Sequence, residues 1–326
     1  MSDPLPIEIG TFQGTCLGPA LANVVGNDLT CHIPSDIDGF RITCVRYADD
    51  IQLGITGQRV RVDEMKNSLE KVLKVMTTWF QQNGMKVNAS KTELLLCGDS
   101  RQLKNMVQPI RVQFMDKEIG SKNLVKNLGV YMDSNLSWSH HVKCISDRCF
   151  GILVALYHVR HILPKEILPR IIDSLVFSHL RYCVQVYGGA NSQSKDCIQK
   201  VLNFAARVIS GRRKFDHISD VLRELEWLNA QQFIDYSDLC MLKRLLDMGQ
   251  TSPLAANLQF NRDVVQRETR QSGCLAMMRP RTNHGRRNFI YRASLLYNNL
   301  VVPLGNCPEM SYGVFKKHVK RAVRGN

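Results

Sequence analysis

The sequence predicts an α+β protein in which the strands lie in the first 132 residues and the remainder is helical. An apolar, β-branched run at residues 42–45 is typical of a buried strand and is followed by the acidic pair Asp49-Asp50. Apolar residues between Val62 and Phe80 recur at steps of three and four, which is the period of an amphipathic helix. After Asp133 the apolar pattern is helical throughout, so the second part is expected to be a helical domain.

The first part begins with an irregular segment, residues 1–12, which contains two prolines. Residues 19–29 predict a helix with Pro19 in its first turn. Residues 41–46 and 51–55 predict an antiparallel hairpin with the acidic pair at its tip. The next helix is expected to end at Asn83-Gly84, and strands are expected at residues 94–97, 110–118 and 127–132.

In the second part, residues 142–159 predict a helix that stops before Pro164. A further helix is expected to run to about Tyr187, with Pro169 kinking it or delaying its start, and to break at Gly188-Gly189. Two more helical stripes cover residues 198–209, which end at Gly211, and residues 233–246.

A net charge of +14 and a pI of about 9.4 indicate an acidic polymer such as nucleic acid as the partner, although a merely soluble basic protein has the same composition. Residues 259–326 contain 13 Lys or Arg against three Asp or Glu. The absence of a secretory signal, of a long apolar run and of Cys-x-x-Cys pairs among the 11 cysteines predicts an intracellular protein, nuclear or cytoplasmic and neither secreted nor in a membrane. The basic run at residues 211–214 is too short to assign nuclear import.

His140, His141, Cys144 and Cys149 are close enough in the chain to suggest metal ligands. Their spacing matches no common zinc pattern, so a structural role in the core is the favoured interpretation.

The acidic pair is the strongest chemical signal in the chain. Two carboxylates at the end of a buried strand provide hard oxygen ligands of the kind that Mg²⁺ prefers. Polymerases hold two such ions for nucleotidyl transfer. The alternative is a solvated turn, because aspartates are common turn residues.

Four motifs in a fixed order carry a resemblance to a known family. They are Gln13-Gly14-Thr15-Cys16-Leu17-Gly18-Pro19, Tyr47-Ala48-Asp49-Asp50, Gly84-Met85-Lys86-Val87-Asn88 with Lys91, and Asn127-Leu128-Gly129-Val130. This set resembles the palm of a reverse transcriptase from a non-LTR (LINE-type, jockey-like) retrotransposon, truncated at its N-terminus. The resemblance implies a partial polymerase palm, an antiparallel sheet with helices, in residues 1–132, a helical thumb-like domain in residues 133–258 and a basic C-terminal region in residues 259–326.

The resemblance also implies roles for single residues. Asp49 and Asp50 would be the catalytic ligands of Mg²⁺ or Mn²⁺ in an active enzyme. Lys91 would approach the triphosphate, where it could protonate the leaving group; a solvated loop lysine is the alternative.

Nucleotide and primer contacts follow from the same resemblance. Gln13, Gly14, Tyr47 and Ala48 would line the nucleotide and template site, although ordinary strand packing explains Tyr47 equally well. Residues 128–130, Leu-Gly-Val, would form the primer grip, and as an isolated triplet they indicate only a strand with a close approach.

The partners implied are an RNA template, a DNA primer and, if the chain is active, deoxynucleoside triphosphates. Phosphate contacts are expected from basic residues near the C-terminus, each of which could equally lie on a solvated helix face. These residues are Arg286, Arg287, Lys316, Lys317, Lys320 and Arg321.

One expected ligand is missing from the pattern. The family places a third aspartate on a strand well upstream of the Gln-Gly motif, whereas here only Asp3 and Glu8 precede Gln13, and neither lies in a strand-like run. We therefore expect the chain to be inactive alone. The alternatives are an enzyme completed by an upstream exon or a complementing N-terminal chain, and a non-catalytic nucleic-acid-binding protein. A basic scaffold with an accidental acidic turn is disfavoured, because four motifs would have to fall in family order by chance.

Overall fold

The computed structural model describes residues 14–104, 109–264, 271–277, 279–305 and 310–325. The chain divides into two compact units, residues 1–125 and 126–326. The first unit combines helices with small sheets, and the second is mainly helical, so the mixed α+β composition is confirmed. The functional boundaries at residues 132 and 258, and the palm and thumb assignments, stay predictions. No helix of the described residues is long and apolar enough to cross a membrane.

Helix α3 and two three-stranded sheets form the first unit. Its described elements are α1 (Gly18–Gly26), α2 (Leu29–His32), β1 (Asp36–Ile37), β2 (Phe40–Tyr47), β3 (Asp50–Thr56), α3 (Val62–Gln82), β4 (Leu94–Leu95), α4 (Ser100–Lys104), β5 (Arg111–Phe114) and β6 (Lys117–Lys122), with a 3-10 turn at Arg59–Arg61. The sheets have the strand orders β1-β2-β3 and β4-β6-β5.

Amphipathic helix α3 provides the core of this unit. Its buried Val72, Met76 and Trp79 belong to one apolar cluster with Ile42 of β2 and Phe114 of β5, so the helix contacts both sheets. The Glu70 carboxylate also accepts a 2.8 Å hydrogen bond from the Gln113 amide on β5. The helix ends at the predicted Asn83-Gly84, where Gly84 has a φ of +68°.

Three local predictions for the first unit were wrong in detail. The helix predicted at residues 19–29 ends at Gly26, and α2 follows it. The single strand predicted at residues 110–118 is the β5–β6 hairpin, which reverses at Met115-Asp116 with Met115 at a φ of +53°. The sheet is not wholly antiparallel, because β4 pairs with β6 in parallel. A helix and a strand separate β4 from β6 along the chain, and such a crossover brings two strands together in the same direction.

The second unit begins at a hairpin and continues as packed helices. Its described elements are β7 (Leu124–Asn127, which spans the boundary), β8 (Val130–Asp133), α5 (Ser139–Val159), α6 (Leu168–Ile172), α7 (Ser178–Arg181), α8 (Val184–Tyr187), α9 (Ser192–Ser210), α10 (Ser219–Glu224), α11 (Ala230–Met248), α12 (Asn261–Val264), α13 (Asn283–Arg287), α14 (Phe289–Leu296) and α15 (Tyr312–Gly325). Two π-helical turns lie at Asp173–Phe177 and Tyr297–Val301, and 3-10 turns lie at Gly249–Thr251, Ala255–Asn257 and Val302–Leu304.

The predicted helix up to Tyr187 is broken where the sequence gives no signal. Its start is delayed as expected, since Pro169 lies in the first turn of α6. Tyr182 is extended, however, and Cys183 has a φ of +53°, so the helix stops and restarts as α8. The Tyr187 hydroxyl donates a hydrogen bond to the Leu180 carbonyl, which the break leaves without a helical partner.

Helix α11 links the two apolar clusters of the second unit. Its N-terminal half, with Phe233 and Ile234, belongs to the cluster formed with α5 and α9. Its C-terminal half, with Leu239 and Leu242, packs against α14 and against Phe315 of α15. The basic C-terminal segment is thus held by its apolar face to the helical unit.

A buried ion pair crosses this junction. Asp238 of α11 is fully buried, and Arg292 of α14 donates to its carboxylate from Nε at 3.1 Å and from Nη2 at 2.9 Å. Arg292 also donates to the carbonyls of Gln185 and Arg287. One guanidinium therefore joins α8, α11, α13 and α14.

The substitution Asp238→Asn is expected to lower the free energy of unfolding by about 3 kcal/mol, because it leaves a largely buried guanidinium without its counter-charge. Urea unfolding followed by circular dichroism measures the loss. Asp235→Asn is the matched control on the same helix: Asp235 accepts a hydrogen bond from the Gln231 amide, which Asn can also accept, so little change is expected. Equal losses in the two variants would contradict the role of the pair.

Candidate active site

The acidic pair lies at the tip of the β2–β3 hairpin, as predicted. Tyr47 pairs with Asp50, so only Ala48 and Asp49 form the connection. Asp50 is the first residue of β3 and does not belong to the turn. Both aspartates are exposed, and no hydrogen bond or ion pair engages either carboxylate among the described residues.

The strand register determines which way the neighbouring side chains point. Residues that face each other across an antiparallel pair lie on the same face of the sheet. Ile42 and its partner Ile55 face the core, whereas Tyr47 and its partner Asp50 share the outer face. Tyr47 is 67% exposed, so ordinary strand packing does not account for it.

The turn holds residue 48 in the left-handed region of backbone space. Ala48 has a φ of +53°, which costs an L-residue about 1–2 kcal/mol and is a severe outlier for a β-branched residue. The tight connection keeps the tip short, so Asp49 and Asp50 are presented next to each other. This arrangement gives two hard oxygen donors on a rigid element.

Arg46 anchors the hairpin to helix α1, a role that the sequence analysis missed. Its guanidinium donates to the carbonyls of Ala22 and Asn23 at 3.2 and 3.1 Å and to the Asn23 side chain at 3.2 Å. These carbonyls lie in the last turns of α1, where some carbonyls lack helical partners. A Cβ atom at Gly26 would lie 1.6 Å from Arg46 Nη1, so a larger residue there would displace the end of the Arg46 side chain. A charged residue at a core-facing position of β2 is the signal that could have revealed it.

The upstream motif is only partly visible. Gln13 lies outside the described residues, so its predicted template contact stays a prediction. Gly14 is exposed with a φ of +88°, a conformation that favours glycine. The Thr15 hydroxyl accepts a 3.1 Å hydrogen bond from the Gly18 amide at the start of α1. The motif therefore lies at the start of α1, the helix that Arg46 connects to the β2–β3 hairpin.

Lys91 is exposed in a turn before β4, and its described hydrogen bond is local. The Asn88 carbonyl accepts from the Lys91 amide at 3.2 Å and from the Thr92 hydroxyl at 3.1 Å. No described hydrogen bond or ion pair joins Lys91 to Asp49 or Asp50. Its predicted approach to the phosphates stays a prediction.

The strand predicted at residues 127–132 is wrong, because Leu128 and Gly129, two of the predicted primer-grip residues, form the turn between β7 and β8. Leu128 and Gly129 have φ values of +45° and +84°, as a tight two-residue hairpin turn requires. The Leu128 carbonyl accepts a 2.6 Å hydrogen bond from the Tyr182 hydroxyl, and a Cβ atom at Gly129 would lie 3.3 Å from the Tyr182 ring. Val130 is buried. The helix break at Tyr182 therefore places the ring that supports this turn.

The histidine and cysteine cluster has structural contacts. Cys149 is buried, its thiol donates to the Val176 carbonyl at 3.6 Å, and burial raises the pKa of this thiol to about 11. His141 is also buried, accepts from the Tyr131 amide at 3.4 Å, and has a pKa lowered by burial. Cys144 contacts His140 at 3.4 Å.

The acidic tip supplies fewer ligands than a two-metal site needs. Across the part of the chain that the structure describes, no group of three His, Cys, Asp or Glu side chains is arranged to hold a metal ion. The oxygen chemistry of Asp49 and Asp50 fits Mg²⁺, but two carboxylates form only part of such a site.

Helix α15 has a buried apolar face and a basic face. Phe315, Val319 and Val323 are buried against the helical unit. Lys316, Lys317 and Arg321 are exposed and Lys320 is half-buried, while Arg286 and Arg287 are exposed on α13. None of these six side chains has a carboxylate partner among the described ion pairs, so their charge is available to an anionic partner.

Comparisons with known proteins agree with the motif order. Residues 2–132 match the family described as "Reverse transcriptase (RNA-dependent DNA polymerase)". A "Probable RNA-directed DNA polymerase from transposon BS" of Drosophila melanogaster is 27% identical over 216 residues, which cover 64% of this chain and 23% of that protein. The "RNA-directed DNA polymerase from mobile element jockey" of the same species is 26% identical over 226 residues, which cover 68% of this chain and 24% of that protein. The chain thus spans about a quarter of the length of these relatives. No solved structure matches the chain.

The substitution Gly26→Ala is expected to displace the end of the Arg46 side chain and to lower the free energy of unfolding of the first unit by about 1 kcal/mol, because the loss of its exposed charged hydrogen bonds exceeds the gain in helix propensity from glycine to alanine. Urea unfolding measures the change. Gly120→Ala is the matched control, because its added Cβ atom would meet no atom within 4 Å. If Gly26→Ala unfolds at the same urea concentration as this control, the anchoring role of Arg46 is wrong.

Proposed function

We propose that the chain belongs to the reverse transcriptases of non-LTR retrotransposons and carries part of the catalytic palm and the thumb-like region of an RNA-directed DNA polymerase. The observation that carries the proposal is the exposed Asp49-Asp50 pair at a two-residue hairpin tip inside the family match. In this proposal residues 1–132 are a partial palm, residues 133–258 a thumb-like domain and residues 259–326 a basic region that contacts nucleic acid.

Asp49 and Asp50 are the proposed ligands of the divalent ions. When bound, Mg²⁺ or Mn²⁺ would activate the primer 3′-hydroxyl and neutralise charge on the departing pyrophosphate. Tyr47 shares the outer face with Asp50, and its exposed ring is suited to pack against the primer end or the incoming nucleotide. Ala48 keeps this space open because its side chain is a single methyl group.

The remaining site residues are proposed to contact the template, the triphosphate and the primer. Gln13 and Gly14 contact the template base, with the positive φ of Gly14 allowing a close backbone approach. Lys91 neutralises the triphosphate. The turn at residues 128–130 holds the primer strand and is stiffened by the Tyr182 hydrogen bond.

We further propose that the chain of 326 residues does not extend a primer by itself. Two carboxylates leave each ion with too few protein ligands to fix its position, and a displacement of about 1 Å can cost about 100-fold in rate. A complementing N-terminal segment with the third aspartate would supply the missing ligand.

Primer extension tests this proposal. The chain alone is expected to give no template-dependent extension of a DNA primer on an RNA template with Mg²⁺ or Mn²⁺. Addition of an upstream segment from a relative is expected to produce extension that Asp49→Ala abolishes, since the variant lacks a metal ligand. Extension by the chain alone that disappears in Asp49→Ala would contradict the proposed inactivity and support the catalytic role of Asp49.

The basic face of α15 favours a second function, non-catalytic binding of nucleic acid. Phosphate contacts release counterions, so each lost contact should reduce the slope of log affinity against log salt by about one. The double variant Lys317→Ala/Arg321→Ala is therefore expected to reduce the slope by about two. Filter binding at several salt concentrations measures it, with Lys74→Ala/Lys165→Ala as a charge-matched control. An unchanged salt slope in the α15 double variant would contradict nucleic-acid binding by the basic face of α15.

A further inference from the structure

A groove on the second unit lies between α5, α9 and the loop that follows α9. It encloses about 430 Å³. Three aromatic rings line it, those of Phe150, Tyr157 and Phe204. Asn203 and five basic residues complete the lining, and no carboxylate is among the described residues that form it. It contains none of the residues assigned above to the palm, the primer grip or the basic face of α15.

The aromatic residues form a shared apolar surface with Phe204 at its centre. The ring of Phe204 lies 6.0 Å from that of Phe150, with an angle of 34° between the planes, and 6.4 Å from that of Tyr157, with an angle of 31°. Tyr157 is 38% exposed, and Arg160 lies over its ring at 3.6 Å. Partly exposed rings at modest angles provide a surface on which flat groups can stack.

The loop beside these rings is held in a defined conformation by two arginines. Arg207 of α9 donates to the carbonyls of Arg213 and Asp216 at 3.2 and 3.4 Å. Arg212 forms a two-pronged ion pair with Asp220. The Arg213 amide donates to the Asp216 carboxylate at 2.7 Å. Two of the five basic residues, Arg207 and Arg212, therefore stabilise the loop.

The other three basic residues are exposed and without a carboxylate partner in the described contacts. They are Lys200, Arg213 and Lys214. Next to them Phe215 is 90% exposed, with the Lys214 ammonium 5.5 Å from its ring centroid. Uncompensated positive charge around exposed aromatic rings is the combination by which proteins bind unpaired nucleotides, since the bases stack and the phosphates are neutralised.

We propose that this groove and the adjoining Phe215 bind single-stranded nucleic acid, with bases stacked on Phe204 and Phe215 and phosphates paired with Lys200, Arg213 and Lys214. The inference rests on the proposed function for the class of ligand and adds a site of its own. A duplex would meet the positive charges but not the rings, because its bases are stacked inside the helix. An acidic peptide would likewise leave the rings unused.

Fluorescence anisotropy with the full chain tests the groove. The probes are a labelled oligouridylate of about 12 nucleotides and an RNA duplex of the same length. Phe215→Ala is expected to weaken binding of the single strand by at least ~5-fold and to leave duplex binding unchanged, since only unpaired bases stack. Lys214→Ala is expected to weaken binding of both probes and to reduce the salt slope by about one.

Matched controls separate the groove from general surface effects. Ile162→Ala removes an apolar side chain that is 73% exposed outside the groove, and Lys165→Ala removes an exposed lysine outside it. Both should bind oligouridylate as the unaltered chain does. Circular dichroism verifies that every variant is folded; Phe215 is so exposed that its loss should not affect stability.

Three outcomes would overturn the proposal. In the first, Phe215→Ala binds oligouridylate as tightly as Ile162→Ala does. In the second, Phe215→Ala loses as much affinity for the duplex as for the single strand. In the third, a polyglutamate peptide displaces oligouridylate and its own binding requires Phe215. Failure here is distinguishable from failure of the proposed function, because the polymerase assay depends on Asp49 and the basic-helix assay on Lys317 and Arg321.

Discussion

The antiparallel pairing of β2 with β3 is the constraint on which the candidate active site depends. A two-residue connection makes the tip rigid and places Tyr47 and Asp50 on one exposed face. The pairing is fixed because the opposite face carries Ile42 and Ile55 into the core, and a slip by one residue would expose them. Arg46 completes the arrangement, since it ties the hairpin to the end of the helix that follows the Gln13-Gly14 motif.

In the second unit, too, apolar packing determines where the basic side chains lie. Helix α11 holds two apolar clusters together, and α15 adds only one buried stripe to them. Most basic residues of α15 outside that stripe lie at the surface. Two basic groups of this unit are buried or largely buried: Arg292 is paired with Asp238 and with backbone carbonyls, and Lys243 of α11 is paired with Asp247. The surface charge that remains is the basis for a polyanionic partner.

The sequence predicted the features that glycine positions and regular apolar spacing specify. The hairpin at Asp49-Asp50, the end of α3 at Asn83-Gly84 and the end of α9 at Gly211 were all predicted, because glycine and regular apolar spacing mark them. The turn at Met115-Asp116 and the break at Tyr182-Cys183 were not, since non-glycine residues adopt positive φ there under tertiary contacts. The contacts of Arg46 with α1 were not predicted either, because its partners lie more than 20 residues away in the chain. Sequence order identified the acidic pair but could not show which side chains surround it.

The proposed catalytic role of the β2–β3 hairpin requires that Asp49 and Asp50 attract a divalent cation, and paramagnetic broadening by Mn²⁺ measures this. In an amide spectrum of the isotope-labelled chain, substoichiometric Mn²⁺ is expected to broaden the signals of residues 47–50 first, and the double variant Asp49→Asn/Asp50→Asn should lose this effect because it lacks both carboxylates. Signals at the tip that stay sharp, or broadening that is equal in the double variant, would contradict the assignment of this hairpin as a metal-binding element.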